Sequence, residues 1–203
     1  MTIETLPVGE LATNCYIVAD DAGTAVVIDP GDEAARILDA VGSRRVEAVL
    51  LTHMHIDHFM AAPAVCRETG APLVMPRAEQ PALEDDLRSL MMWLPPEDRF
   101  TLSPARLVDE GDTLDAGRLH FTFWLTPGHT AGSGCWRCGD ALFCGDTLFA
   151  GSAGRTDLPS GDAEALRRSL RRLAAIPEDL RVFPGHGSAS TLDAERRHNP
   201  YLK

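Results

Sequence analysis

VEAVLLTHMHIDH, residues 46–58, joins two kinds of sequence with no spacer between them. Residues 46–52 are a nearly all-apolar run, the pattern of a strand buried on both faces. Directly behind it stand His53, His55, Asp57 and His58, four candidate ligands within six positions. Histidine and aspartate are costly to bury unpaired, so packing in a core does not account for the cluster. A strand end is where a loop can aim side chains into a cleft, and there this set reads as a metal site.

Three more candidates follow the same design. His129 lies in TPGHTAGS behind the apolar FTFWL, Asp146 in CGDT behind ALF, and His186 in PGHGS behind LRVF. A glycine precedes each of them, which lets the backbone turn sharply and approach the site closely. Four strand ends thus deliver ligands toward one edge of a sheet. Five histidines and two aspartates exceed what one tetrahedral zinc can use, and two metals sharing a carboxylate account for all seven.

Outward from these motifs, short apolar strands alternate with helical stretches. CYIVAD and TAVVIDPG read as strands joined by a turn over residues 20–23, and Asp32 as the cap of the helix EAARILDAV. From Asp57, HFMAAPAVCRETG reads as one helix ending at Gly70, with Pro63 in its first turns or at a kink. APLVMP is a further strand. In RLHFTFWLT, Leu119, Phe121, Phe123 and Leu125 share one face and His120, Thr122, Trp124 and Thr126 the other. GCWRC and ALFCGD form a hairpin about Gly139-Asp140. Helices capped by Asp162 (DAEALRRSLRRLAAI) and Thr191 (TLDAERRHN) flank the strand LRVFPG. Residues 77–104 break this rhythm. Leu87, Leu90, Met91 and Leu94 fall at helical spacing there, giving an amphipathic helix packed on the core or, alternatively, a lid or dimer contact. The whole is a layered α/β protein, two mixed sheets inside and helices outside being one arrangement.

Composition narrows the function. Lysine plus arginine number 19 against 30 aspartates and glutamates, a formal charge of −11, which argues against binding nucleic acid or an anionic membrane. Hydrophobic residues make up 44 %, as in globular proteins. No apolar run approaches the roughly 18 residues that span a bilayer, and the N-terminus lacks a secretory pattern, so a cytoplasmic location is expected. The five cysteines are expected reduced. Cys135 and Cys138 form a CxxC, read as small buried residues of a hairpin in preference to a redox pair.

THMHIDH followed by TPGHT, CGDT and PGHG resembles the binuclear metallo-β-lactamase superfamily, and the likeness runs from NCYIV and VVIDPG to NPYLK. The resemblance implies a four-layer αββα sandwich. It also implies His53, His55 and His129 on one metal, Asp57, His58 and His186 on the second, and Asp146 between them. CGDTLFAGSAGRTDLPSGD and ERRHNPYL are most similar to glyoxalase II-like proteins of the short bacterial type. The chain would then be a single domain over residues 1–203, lacking the C-terminal helical domain by which longer members help bind glutathione. Glyoxalase II hydrolyses S-lactoylglutathione to lactate and glutathione, and a small-molecule thioester is the expected substrate, with a metal-bridging hydroxide as nucleophile. Thioester hydrolysis is implied more strongly than glutathione specificity. Two divalent ions per chain are expected, zinc foremost, with iron or manganese compatible with the same donors. Asp57 and Asp146 serve catalysis as ligands, not as free bases. Asp29 is a candidate acceptor for a ligand histidine's other N–H, or simply a turn former before Pro30. Arg155 either binds a substrate carboxylate or pairs with Asp157. The alternatives are a mononuclear iron persulfide dioxygenase, which shares the ligand frame and a GRTD-like segment, and a non-catalytic metal-binding module.

Overall fold

The computed structural model describes residues 1–203. The first half comprises strands β1 (Thr2–Val8), β2 (Thr13–Ala19) and β3 (Thr24–Ile28), helix α1 (Ala34–Val41) and strand β4 (Arg45–Leu50). Helices α2 (Ile56–Phe59) and α3 (Ala62–Thr69) follow, then β5 (Leu73–Pro76) and β6 (Arg106–Val108). These six strands make one sheet in sequential order, antiparallel from β1 to β3 and parallel from β3 to β6.

The second half contains β7 (Thr113–Ala116), β8 (Leu119–Leu125), β9 (Gly134–Cys138) and β10 (Ala141–Gly145). A small hairpin of β11 (Leu148–Phe149) and β12 (Ser152–Ala153) comes next, then α4 (Ala163–Ala174), β13 (Arg181–Pro184), β14 (Ser190–Thr191) and α5 (Leu192–His198). The second sheet has the order β14-β13-β10-β9-β8-β7. Within it β8, β10 and β13 all point the same way, so their C-terminal ends share one edge.

Alternation of side chains along the strands builds the layers. Val26, Ile28, Ala48 and Leu50 of the first sheet meet Phe121, Phe123, Trp136 and Phe143 of the second in the central core. The opposite face of the first sheet, with Ile17, Val27 and Val49, is covered by Ile37 and Val41 of α1 and Val65 of α3. The opposite face of the second, with Leu142, Cys144 and Val182, is covered by Leu166, Leu170 and Leu173 of α4 and Leu192 of α5. The result is the four-layer αββα sandwich. β4 is buried on both sides as its apolar run predicts: Val49 faces the helices and Leu50 the other sheet. No helix is long and apolar enough to cross a membrane.

Several local expectations need correction. Residues 77–104 hold no amphipathic α-helix; they form three 3₁₀ turns, Arg77–Leu83, Met91–Trp93 and Pro96–Asp98. Pro81 sits inside the first turn, and Pro95 and Pro96 open the last, so no continuous backbone ladder can form. The single helix expected from Asp57 to Gly70 is two, with Pro63 in the first turn of the second and Gly70 ending it in the left-handed region. Glu33, not Asp32, occupies the cap position of α1, and the Asp32 carboxylate accepts the Glu33 N–H. Asp162 and Thr191 do cap α4 and α5 through their side chains. Cys135 and Cys138, three apart on β9, face opposite layers, which excludes a disulfide between them without moving the strand.

Candidate metal centre

All four ligand-bearing segments reach the same edge of the sandwich. Residues 52–58 leave the end of β4 in the first sheet; His129, Asp146 and His186 follow β8, β10 and β13 in the second. The sheets are tied here by an isolated bridge between Thr13 and His186, and by the Asn14 N–H donating to the Gly185 carbonyl at 2.7 Å. Close approach demands glycine. At Gly185 a Cβ would lie 2.2 Å from Asp146 Oδ1 and 2.7 Å from His58 Cε1, in the middle of the cluster. Gly145 holds φ at +46°, and its Cβ would fall 2.3 Å from Thr52 Oγ1.

The seven side chains form three overlapping triads: His53, His55 and His129; His53, His58 and Asp146; and Asp57, His58 and His186. Donor atoms within each triad lie within 4.8 Å of one another. The outer triads are the same two groups that the sequence resemblance assigns to separate metals, and Asp146 stands in the middle one. His129 Nε2 lies 2.9 Å from His55 Nδ1 and 3.5 Å from Asp146 Oδ2. His186 Nε2 lies 3.3 Å from Asp57 Oδ2 and 3.6 Å from Asp146 Oδ2. His58 Nε2 is 3.5 Å from Asp57 Oδ2 and 3.4 Å from Asp146 Oδ1.

An outer contact holds the other nitrogen of four of these rings. His129 Nδ1 donates to the Arg155 carbonyl at 2.8 Å and His186 Nδ1 to the Leu11 carbonyl at 3.1 Å. His58 Nδ1 donates to Asp29 Oδ2 at 2.9 Å. The Thr52 hydroxyl donates its one proton to that same Asp29 oxygen at 2.7 Å, so it can only accept from His53 Nδ1, 3.0 Å away. Each bond places a proton on Nδ1 and turns Nε2 inward as the atom available to a cation. Asp29 is a turn residue at φ +50°, and its carboxylate accepts from His58 Nδ1 directly and from the Thr52 hydroxyl that contacts His53. Arg155 likewise resolves into a bidentate pair with Asp157, both bonds 2.7 Å, while its backbone carbonyl serves His129. His120 bonds Asp115 on the surface, and His198 is exposed.

Electrostatics divides the cluster. Burial, reinforced by the neighbouring imidazoles, holds His53 well below the usual histidine range and His55 at about 3. Burial also lowers His129, against the pull of Asp146. At His58 burial acts in the same direction but is outweighed by Asp57, Asp146 and Asp29, and the ring is raised well above its ordinary value. His186 is raised too, its Asp57 contact overcoming burial. Asp57 and Asp146 remain ionised, since His58 and its neighbours outweigh the cost of burying them.

The fit to cations rests on an accounting of polar atoms. Nε2 of His53, His55 and His58 and Oδ1 of Asp146 are buried without a hydrogen-bond partner. Each such orphan costs on the order of 1–3 kcal/mol, and three of them, on His53, His58 and Asp146, belong to one triad, which is what a divalent-ion site demands; His55 turns its Nδ1, not Nε2, toward His129. The cluster floors an open cleft of about 500 Å³. Leu11, Leu90, Trp93, Phe149 and Leu158 wall it, and Arg155 stands at the rim. A second cavity of about 550 Å³, beyond the Gly154–Asp157 loop, contains none of the seven residues.

A buried imidazole–carboxylate cluster at the edge of an αββα sandwich defines a metallo-hydrolase class of protein. The metallo-beta-lactamase superfamily model matches residues 8–186, and the chain belongs to that superfamily, whose members are metal-dependent hydrolases. It is 34% identical over 215 residues to hydroxyacylglutathione hydrolase GloC of Haemophilus influenzae, covering 100% of this chain and 98% of the relative. Among solved structures, BLEG-1 B3 metallo-beta-lactamase superposes with a TM-score of 0.92 at 33% identity over 100% of both chains. TTHA1623 in a di-iron-bound form gives a TM-score of 0.85 at 35% identity, over 98% of this chain and 100% of that one.

One participant has no motif to announce it. Glu79, in the 3₁₀ turn behind β5, is 4% exposed and bonds the backbone of both the His53–His55 segment and the loop behind His129. In the sequence it is one acidic residue in a polar, proline-interrupted stretch, and no spacing marks it.

Proposed function

We propose that the chain is a thioester hydrolase of glyoxalase II type, working with two divalent ions held by His53, His55 and His129 on one side, Asp57, His58 and His186 on the other, and Asp146 shared. The observation that carries this reading is the partnerless buried His53 Nε2, His58 Nε2 and Asp146 Oδ1, in a cluster whose His55, Asp57, His129, Asp146 and His186 line an open cleft. The likeness to GloC along the whole chain supports the choice of thioester. Bound in this cluster, two divalent ions would supply a nucleophilic water at neutral pH and polarise the acyl carbonyl.

The chain's own residues do the rest. Asp29, Thr52 and the carbonyls of Leu11 and Arg155 hold four imidazoles in the tautomer that presents Nε2 inward. Asp57 and Asp146, kept ionised, contribute negative charge as ligands and hold no proton to donate. A thiolate is a good leaving group, so no buried general acid is required, and the cleft shows none beside the ligands. The apolar walls at Leu11, Trp93 and Phe149 receive the uncharged part of the substrate, and the open mouth lets the thiol leave.

The test pairs elemental analysis of protein purified without added metal with hydrolysis of S-lactoylglutathione and of simpler thioesters. About two ions per chain together with thioesterase activity is the expected result. Asp146→Ala should lower kcat/KM by at least about a hundredfold, since a shared ligand is lost from both groups; full activity in that variant would refute the assignment. A single iron per chain, with oxygen consumed in the presence of a persulfide, would favour the dioxygenase instead.

A further inference from the structure

Glu79 combines three features seldom found together. It is a carboxylate at 4% exposure; it pairs with no cationic side chain; and its two oxygens serve two loops that belong to different sheets. Oε2 accepts the Met54 N–H at 2.9 Å, between His53 and His55 in the loop leaving β4. Oε1 accepts the Gly132 N–H at 2.7 Å, in the loop that carries His129 from β8 to β9. The fit is tight from the far side as well, because a Cβ on Gly132 would lie 2.7 Å from Glu79 Oε1, Cγ and backbone nitrogen. Other bonds join the same loops, Gly134 N–H to the Thr52 carbonyl at 2.9 Å and Trp136 Nε1–H to the Leu51 carbonyl at 3.0 Å, but both stop short of His53. The Glu79 carboxylate alone reaches between His53 and His55.

These three histidines form one triad, yet they come from two loops whose separation no covalent link sets. Imidazoles preorganised at ligand spacing bind an ion without first reorganising, and partners one layer behind the ligands change metal affinity about 10–100-fold when removed. We infer that Glu79 is a positioning residue for this triad: its carboxylate clamps Met54 to Gly132 and thereby sets His53 and His55 against His129. The inference rests on the triad being a metal site. Its chemistry requires a carboxylate and not merely a side chain of that shape, since two N–H donors need two acceptor oxygens. Glutamine would meet one of the two N–H groups with its own NH₂.

The experiment compares the full chain with Glu79→Gln, and with Gly132→Ala, which keeps the carboxylate but displaces it. Zinc affinity is measured by competition with a chromophoric chelator, and thermal unfolding is followed with and without zinc. The expected outcome is a 10–100-fold weaker zinc affinity in Glu79→Gln, a smaller loss in Gly132→Ala, and a reduced rise in Tm on adding zinc in both. If zinc affinity is unchanged in both variants, or metal-free and zinc-loaded Tm fall equally, Glu79 is only a packing element and the inference is wrong. A parent chain that binds no zinc, iron or manganese would overturn the metal reading and this inference together. Retained binding in the parent with unaltered variants would overturn this inference alone.

Discussion

At the scale of single residues, the seven ligand-type side chains are not equivalent. His53, His55 and His129 are lowered by burial, whereas His58 and His186 are raised by the carboxylates around them. A raised histidine holds its proton to higher pH, and a cation must displace that proton in order to bind. Metal affinity at the Asp57–His58–His186 group therefore falls first as pH decreases. The His53–His55–His129 group keeps its ion to lower pH, with His55 itself protonating only at about 3. Metal content of protein desalted at successive pH values should fall in two steps, and loss of both ions in one step would contradict this ordering.

Among the elements, the loops carry the chemistry and the strands carry the stability. Phe143 of β10 is fully buried, 5.2 Å from the rings of both Tyr16 and Phe183, so one side chain joins the two sheets. Phe143→Ala should destabilise the fold by about 3–5 kcal/mol, the range for removing a buried phenylalanine ring, as read from denaturant unfolding. A loss below about 1 kcal/mol would mean that the central core collapses around the gap. β10 also continues through Gly145 into Asp146, so the same strand whose ring packs the core delivers the shared carboxylate.

For the molecule as a whole, the cluster is a seam between sheets. Ligand-type residues from the first sheet face those from the second, and Nε2 of His53 and of His58 and Oδ1 of Asp146 are buried there without hydrogen-bond partners. Each ion bound to the folded chain at 100 times its Kd adds about 2.7 kcal/mol. In a chain of this size that is roughly 5–10 °C in Tm per site. Chelation should lower Tm by at least that amount and added zinc should restore it; a Tm indifferent to chelator would argue that the cluster holds no ion.

Much of this protein was written in its linear order. The buried run of β4 and the alternation in β8 declare sheets, and four glycine-flanked or strand-end motifs declare a cluster, because strand periodicity and ligand clustering are local properties of the chain. Asp162 and Thr191 were legible as caps for the same reason. Over residues 77–104 the apolar spacing points to a helix, and Pro81, Pro95 and Pro96 break the backbone ladder that it would need. Only the tertiary structure decided which triads form, that Arg155 pairs with Asp157 while its carbonyl holds His129, and that Glu79 clamps two loops. Apart from the local Arg155–Asp157 pair, those facts depend on contacts between residues far apart in the chain, 53 positions for Glu79 and Gly132 and 74 for His55 and His129, and such contacts are set by how the two sheets meet.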